Sequence, residues 1–186
     1  MKKEGPPNLD FVCKPGDTSC ELHRDFSILS GLPVFSGVPK EIVKMWAYFS
    51  KRAVFSPGEI LLAQGDKLER AHCIVSGTAK ALLVEDGREQ TLYTLEAQDL
   101  FGELALLARL VSPVTVRAET EVVSLTLDRK SFWKVYEKFP RSLHHAVEQI
   151  VKLGVGRQGR EIARQLENQP DALPVFSLLR GLLFRV

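Results

Sequence analysis

The period of the apolar positions changes twice along the chain. Ile42, Met45, Trp46 and Phe49 fall at i, i+3, i+4 and i+7, so the first clear helix is predicted over about Pro39 to Phe49, with Pro39 suited to its start. From Arg52 to Leu127 the pattern shortens to β runs at Ala53–Ser56, Glu59–Ala63, His72–Ser76, Thr78–Glu85, Arg88–Leu95, Val114–Glu119 and Glu121–Leu127. Pro57-Gly58, Gly65-Asp66, Ser76-Gly77 and Asp86-Gly87 punctuate them. The two-residue Asp86-Gly87 link predicts a tight hairpin, because both turn positions need positive φ. Helical spacing returns after Asp128, a suitable cap, with Phe132, Val135, Tyr136 and Phe139, and again after Pro140 with Leu143, Val147, Ile150 and Val151.

Several segments stand apart from this pattern. Residues 1–23 are rich in Pro, Gly and polar side chains and are predicted to form an extended arm, with a short helix over Asp25–Leu32. Gly154, Gly156 and Gly159 are expected to break the last helix, which resumes over Glu161–Gln169. The apolar tail Leu173–Val186 needs a partner surface. Most informative is Gly102-Glu103-Leu104-Ala105-Leu106-Leu107-Ala108, a run of helix formers between strands that is too short to be stable alone. A helical turn opened by a glycine offers unpaired N–H groups to an anion, and Glu103 at its mouth could accept hydrogen bonds from sugar hydroxyls. The same residues also suit a simple core turn, with Glu103 favouring the helix start.

The 186 residues are 45% apolar and 26% charged, a globular composition, and the net charge of +2 argues against nucleic acid or an anionic membrane surface as partner. No apolar run is long enough for a transmembrane helix, and no apolar stretch follows Met1-Lys2-Lys3, so no secretory signal is expected. The odd set Cys13, Cys20 and Cys73 does not read as a disulfide framework, which points to a reducing cytoplasm. Cys13, Cys20, His23 and Cys73 lack metal-ligand spacing, so no metal is expected. Gly154-Val155-Gly156-Arg157-Gln158-Gly159 fits a dinucleotide fingerprint in letters only, because no strand precedes it. His144-His145 reads as a solvated helix face, and no nucleophile–base set is recognisable, so the chain is not read as an enzyme.

Four pieces in order, Phe55-Ser56-Pro57-Gly58-Glu59-Ile60-Leu61, Gln64-Gly65-Asp66, Ile74-Val75-Ser76-Gly77 and Phe101-Gly102-Glu103-Leu104-Ala105-Leu106-Leu107, resemble the cyclic-nucleotide-binding domain family. The resemblance implies a mainly β fold: a β-roll (jelly roll) with N-terminal and C-terminal flanking helices. It divides the chain into an arm and short helix at 1–31, the roll at 32–139 and a helical tail at 140–186. It further implies a phosphate-binding cassette in which Gly102, Glu103, Leu104 and Ala105 match the family, Glu103 taking the ribose 2′-hydroxyl. The family's phosphate-pairing arginine is missing. Ser112 stands in its place, beside Pro113, and Thr115 follows on the phosphate side. A charge-assisted hydrogen bond is worth about 1.5–3 kcal/mol, so affinity for cyclic AMP would fall by roughly tenfold to over a hundredfold. Arg109 is a candidate replacement, and Arg117 occupies a position often basic in the family.

The chain is therefore read as a stand-alone regulatory module. It would bind cyclic AMP, another cyclic nucleotide or a related anionic small molecule, and signal through its C-terminal helices as a homodimer or to a separate protein partner. Only 18 residues follow Asn168, too few for a helix-turn-helix DNA reader. The alternative is a degenerate domain that binds no nucleotide and serves protein interaction or dimerisation.

Overall fold

In the structure, a computed structural model describing residues 18–167, two four-stranded antiparallel sheets enclose one core and a set of helices covers a second. The elements run α1 (Thr18–Gly31), a 3-10 turn (Pro33–Phe35), α2 (Lys40–Phe49), β1 (Lys51–Phe55), β2 (Ile60–Leu62), β3 (Arg70–Ser76), β4 (Ala79–Glu85), β5 (Arg88–Leu95) and β6 (Leu100–Phe101). A second 3-10 turn (Glu103–Leu106), β7 (Thr115–Ala118), β8 (Val122–Asp128), α3 (Arg129–Tyr136) and α4 (Pro140–Glu167) complete it. One sheet has the order β1-β8-β3-β6, the other β2-β7-β4-β5. This is the expected β-roll with flanking helices.

Alternation along the strands explains both cores. On β3, Ala71 and Cys73 lie opposite Leu127 and Leu125 of β8 and join the helix-side core, while His72 and Ile74 lie opposite Thr126 and Ser124. Ile74 then meets Ala79, Ala81, Leu95, Phe101, Val116 and Val122 between the sheets. The middle of the first sheet is thus buried on both faces, so β3 reads as an almost continuous buried run. On the helix side Trp46 stacks on Phe132, ring centroids 5.1 Å apart, with Phe35 4.9 Å away. Asp128 accepts the Ser131 N–H at 2.8 Å, the expected cap of α3. Asp86 and Gly87 both take positive φ, as the hairpin requires.

Three expectations need correction. The N-terminal helix starts at Thr18, not Asp25: Leu22, Phe26 and Leu29 give it a packing stripe, and Asp25 is nearly buried against Arg52, whose Nε lies 3.0 Å from its carboxylate. A charge on that stripe, paired with a residue 27 positions away, hides the helix from a periodicity count. Cys20 is disulfide-bonded, which removes the cysteine-based ground for a reducing compartment. Cys73 is buried on β3, its thiol pushed up to about 12 by burial and, secondarily, by Asp99. Helix α4 is continuous through the three glycines. The apolar tail Leu173–Val186 lies outside the described residues, as does Cys13.

His72 generates a pH prediction. Its ring stacks on Phe101 at 4.8 Å, its Nδ1 lies 3.3 Å from Ser124 Oγ, and burial, with Arg70 as the lesser cause, lowers its pKa from 6.5 to about 4. The unfolded chain therefore takes up the proton first as pH falls. This contribution is complete above pH 6.5 and is lost as pH drops toward 4, in total about 3 kcal/mol. Urea midpoints measured from neutral pH down to about pH 4.5 should fall more steeply for the wild type than for His72→Asn. Equal slopes would show that His72 is not the group responsible.

Candidate ligand-binding cassette

The turn that follows β6 opens on Gly102 at φ +65°, and a Cβ there would stand 2.9 Å from the Arg70 carbonyl oxygen, so the position needs both the left-handed conformation and the missing side chain. Glu103–Leu106 then form a single 3-10 turn, closed by Ala105 N–H to Gly102 O at 3.0 Å, and every residue from Glu103 to Ala108 is buried. An isolated turn of this kind leaves its last carbonyls without helical partners. Here α3 supplies them. The Arg129 guanidinium donates to the carbonyls of Ala105 and Ala108, and Trp133 Nε1 donates to Leu106 O at 2.7 Å.

Helix α4 closes the turn from the other side. Gly154 is buried, and a Cβ on it would lie 2.4 Å from Leu104 Cδ1 and 3.0 Å from Glu103 Oε1. The glycine expected to break α4 is instead the point where α4 lies directly on the cassette. Its neighbours Leu143, Val147, Ile150 and Val151 are all buried, and that packing outweighs the low helix propensity of glycine. A Cβ on Gly156, by contrast, meets nothing within 4 Å.

The residues proposed for the phosphate side are engaged with the protein itself. Ser112 is 2% exposed, and its hydroxyl donates to Val114 O at 2.6 Å. Its backbone is tied to the neighbouring loop, the N–H donating to Asp66 O at 2.8 Å and the carbonyl accepting from Gly65 N–H at 2.7 Å. Thr115, also buried, accepts the Gln64 N–H at 3.1 Å, and the Gln64 side chain in turn spans to the backbone of Val84. Ser112 and Thr115 thus hold the Gln64-Gly65-Asp66 loop. Arg109 is exposed and lines a groove with Arg70 and Arg129, apart from Gly102–Ala105. Arg117 is committed to Glu89, NH1 to Oε2 at 2.9 Å. The structure therefore brings Gly102, Glu103, Leu104 and Ala105 together in one turn, and Ser112 and Thr115 against one loop, with Arg117 held by Glu89 and Arg109 lining the neighbouring groove.

The family model for the cyclic nucleotide-binding domain matches residues 52–139. Residues 52–139 form a domain of the cyclic nucleotide-binding family. The chain is 31% identical over 112 residues to the potassium channel KOR1 of Oryza sativa subsp. japonica, which covers 60% of this chain and 13% of the channel. It is 30% identical over 122 residues to the cyclic AMP receptor protein of Thermus thermophilus, 63% of this chain and 55% of that protein. The chain thus spans little more than half of one of these relatives and a small part of the other. Among solved structures it shares its fold with the regulatory subunit of a cAMP-independent protein kinase A from Trypanosoma cruzi bound to guanosine, at TM-score 0.63 and 21% identity, covering 84% of this chain and 54% of that one.

The cyclic nucleotide-binding domain is a regulatory ligand-binding fold, and of three residues that frame its cassette here two, Arg129 and Trp133, were not singled out in the sequence, while the third, Gly154, was read as a helix break. Arg129 and Trp133 act on backbone carbonyls, which no residue pattern encodes. Gly154 did leave a signal. It continues the stripe of Val147, Ile150 and Val151 at helical spacing, which marks it as a close-packing site rather than a break. Gly154 and Gly156 of α4 should respond in opposite directions. Gly154→Ala overpacks Leu104 and should cost about 1–3 kcal/mol, whereas Gly156→Ala should add up to about 1 kcal/mol. Urea denaturation of both variants checks this, and a neutral Gly154→Ala would remove the close approach of α4 from the account.

Proposed function

We propose that this chain is a non-enzymatic regulatory module whose cassette takes a nucleoside-type ligand without depending on a cyclic phosphate. One observation carries the proposal: Ser112, which the resemblance sets against the family's phosphate-pairing arginine, is buried with its hydroxyl already spent on Val114 O. A phosphate brought there would lose water and gain no cation, a large cost in a site away from solvent. A neutral nucleoside escapes that cost and keeps the part of the cassette that remains, with the buried Glu103 as the carboxylate that would meet its ribose hydroxyls. The Trypanosoma cruzi regulatory subunit, named as cAMP-independent and solved with guanosine, supports the idea that this fold accommodates such a ligand. Ligand contact with Glu103 would be felt at Gly154, so the signal would leave through α4 to a second copy or a protein partner.

The contact of α4 with Glu103 and Leu104 also favours a second reading, in which the cassette is permanently covered and the domain serves protein interaction. Thermal-shift titration with guanosine, adenosine, cyclic AMP and cyclic GMP separates the two. A ligand bound only by the folded state stabilises it by about 2.7 kcal/mol at a hundred times its dissociation constant. The proposal expects a shift with a nucleoside that its cyclic phosphate does not exceed, lost in Glu103→Ala. It also expects a new response to cyclic nucleotides in Ser112→Arg. A larger shift with cyclic AMP or cyclic GMP in the wild type would overturn it, and no shift with any of the four would favour the interaction module.

A further inference from the structure

Next to the cassette runs a groove of about 570 Å³ whose lining includes none of Gly102, Glu103, Leu104, Ala105, Ser112 or Thr115. Its wall carries five cations: Lys67, Arg70, Arg109, Arg129 and Lys130. They come from three segments that the backbone holds in register. Lys67 is bridged to Val111, Leu68 N–H donates to Leu110 O at 2.8 Å, and Arg70 pairs with Asp128 at the end of the β3–β8 ladder. Four of the cations are exposed and Arg129 is half-buried.

Two carboxylates, Glu69 and Asp128, share the groove. Asp128 is committed to capping α3, its two oxygens accepting from the Ser131 N–H and hydroxyl at 2.8 and 3.0 Å. Glu69 sits where it supports the charge on Arg129. Positive charge remains in excess, on a chain whose total is only +2. Burial, and after it the charge of Arg109, works against the Arg129 cation, so like charges are being held together. Arg129 uses Nε and one terminal nitrogen on the cassette carbonyls, and its other terminal nitrogen makes no hydrogen bond among the described residues. Planar guanidinium groups lining one concavity are the donors that suit tetrahedral oxyanions.

We propose that this groove binds a small phosphate-bearing anion, at a site separate from the cassette. The proposal is independent of whether the cassette takes a nucleoside. The test is calorimetric titration of the full chain with inorganic pyrophosphate at low ionic strength. Saturable binding is expected, weakening as salt is added. Arg70→Glu and Lys67→Glu, both exposed changes, should each lower the affinity by about tenfold or more. Arg88→Glu, the same charge change on the distant β4–β5 hairpin, should leave it unaltered, and circular dichroism confirms that each variant is folded. Three results would overturn the proposal: no saturation at millimolar pyrophosphate, equal loss in Arg88→Glu, or capture of anionic phospholipid vesicles by a protein indifferent to pyrophosphate.

Discussion

The cassette turn cannot stand by itself, and the guanidinium of Arg129 is what its far end rests on. Four residues of 3-10 helix bury their side chains yet leave carbonyls pointing away from any helical partner. Arg129 takes those of Ala105 and Ala108, Trp133 takes that of Leu106, and α4 seals the other side at Gly154. Because Arg129 and Trp133 belong to the first turns of α3, the position of the cassette and the position of the C-terminal helices are a single structural variable. A ligand that alters one must alter the other.

The electrostatics of the two sides of this turn are opposite. At the cassette, Ser112, which the resemblance sets against the family's arginine, has a hydroxyl facing its own backbone and a main chain that secures the Gly65 loop. In the adjoining groove, Arg109 joins Arg70, Arg129, Lys67 and Lys130. Anion-binding capacity is therefore present in the molecule, but away from Ser112. A phosphate-independent cassette and a cationic groove are compatible features of one domain, because the only side chain they share among the described residues is Arg129, which holds the backbone of the turn and lines the groove.

Much of this was legible in the chain. The Asp86-Gly87 hairpin, the strands to within a few residues, the cap at Asp128 and the stripe of α4 all follow from local patterns that the tertiary structure reinforces. What escaped had non-local causes. Strand β6 is two residues long and exists through pairing with His72 and Cys73. The start of α1 depends on Asp25 finding Arg52. Gly154 was misjudged because propensity counts the cost of a missing side chain and not the benefit of a close approach, which Leu104 supplies here. At the site, Gly102 through Ala105 and the substitution at Ser112 were visible as letters. The engagement of the Ser112 and Thr115 hydroxyls with the backbone, and the place of Arg109 in one groove with Arg129, required the fold.

The claim on which the rest depends is that the cassette is held in place by α3 and α4 before any ligand arrives. Native-state hydrogen exchange on the ligand-free chain tests it directly, read at the amides of Ala105, Leu107 and Ala108, which are hydrogen-bonded within the turn. If the account is right, these amides exchange as slowly as those of β3 and β8. Exchange as fast as that of an exposed loop, in a chain whose β3 and β8 remain protected, would show that Arg129, Trp133 and Gly154 do not secure the turn and would contradict it.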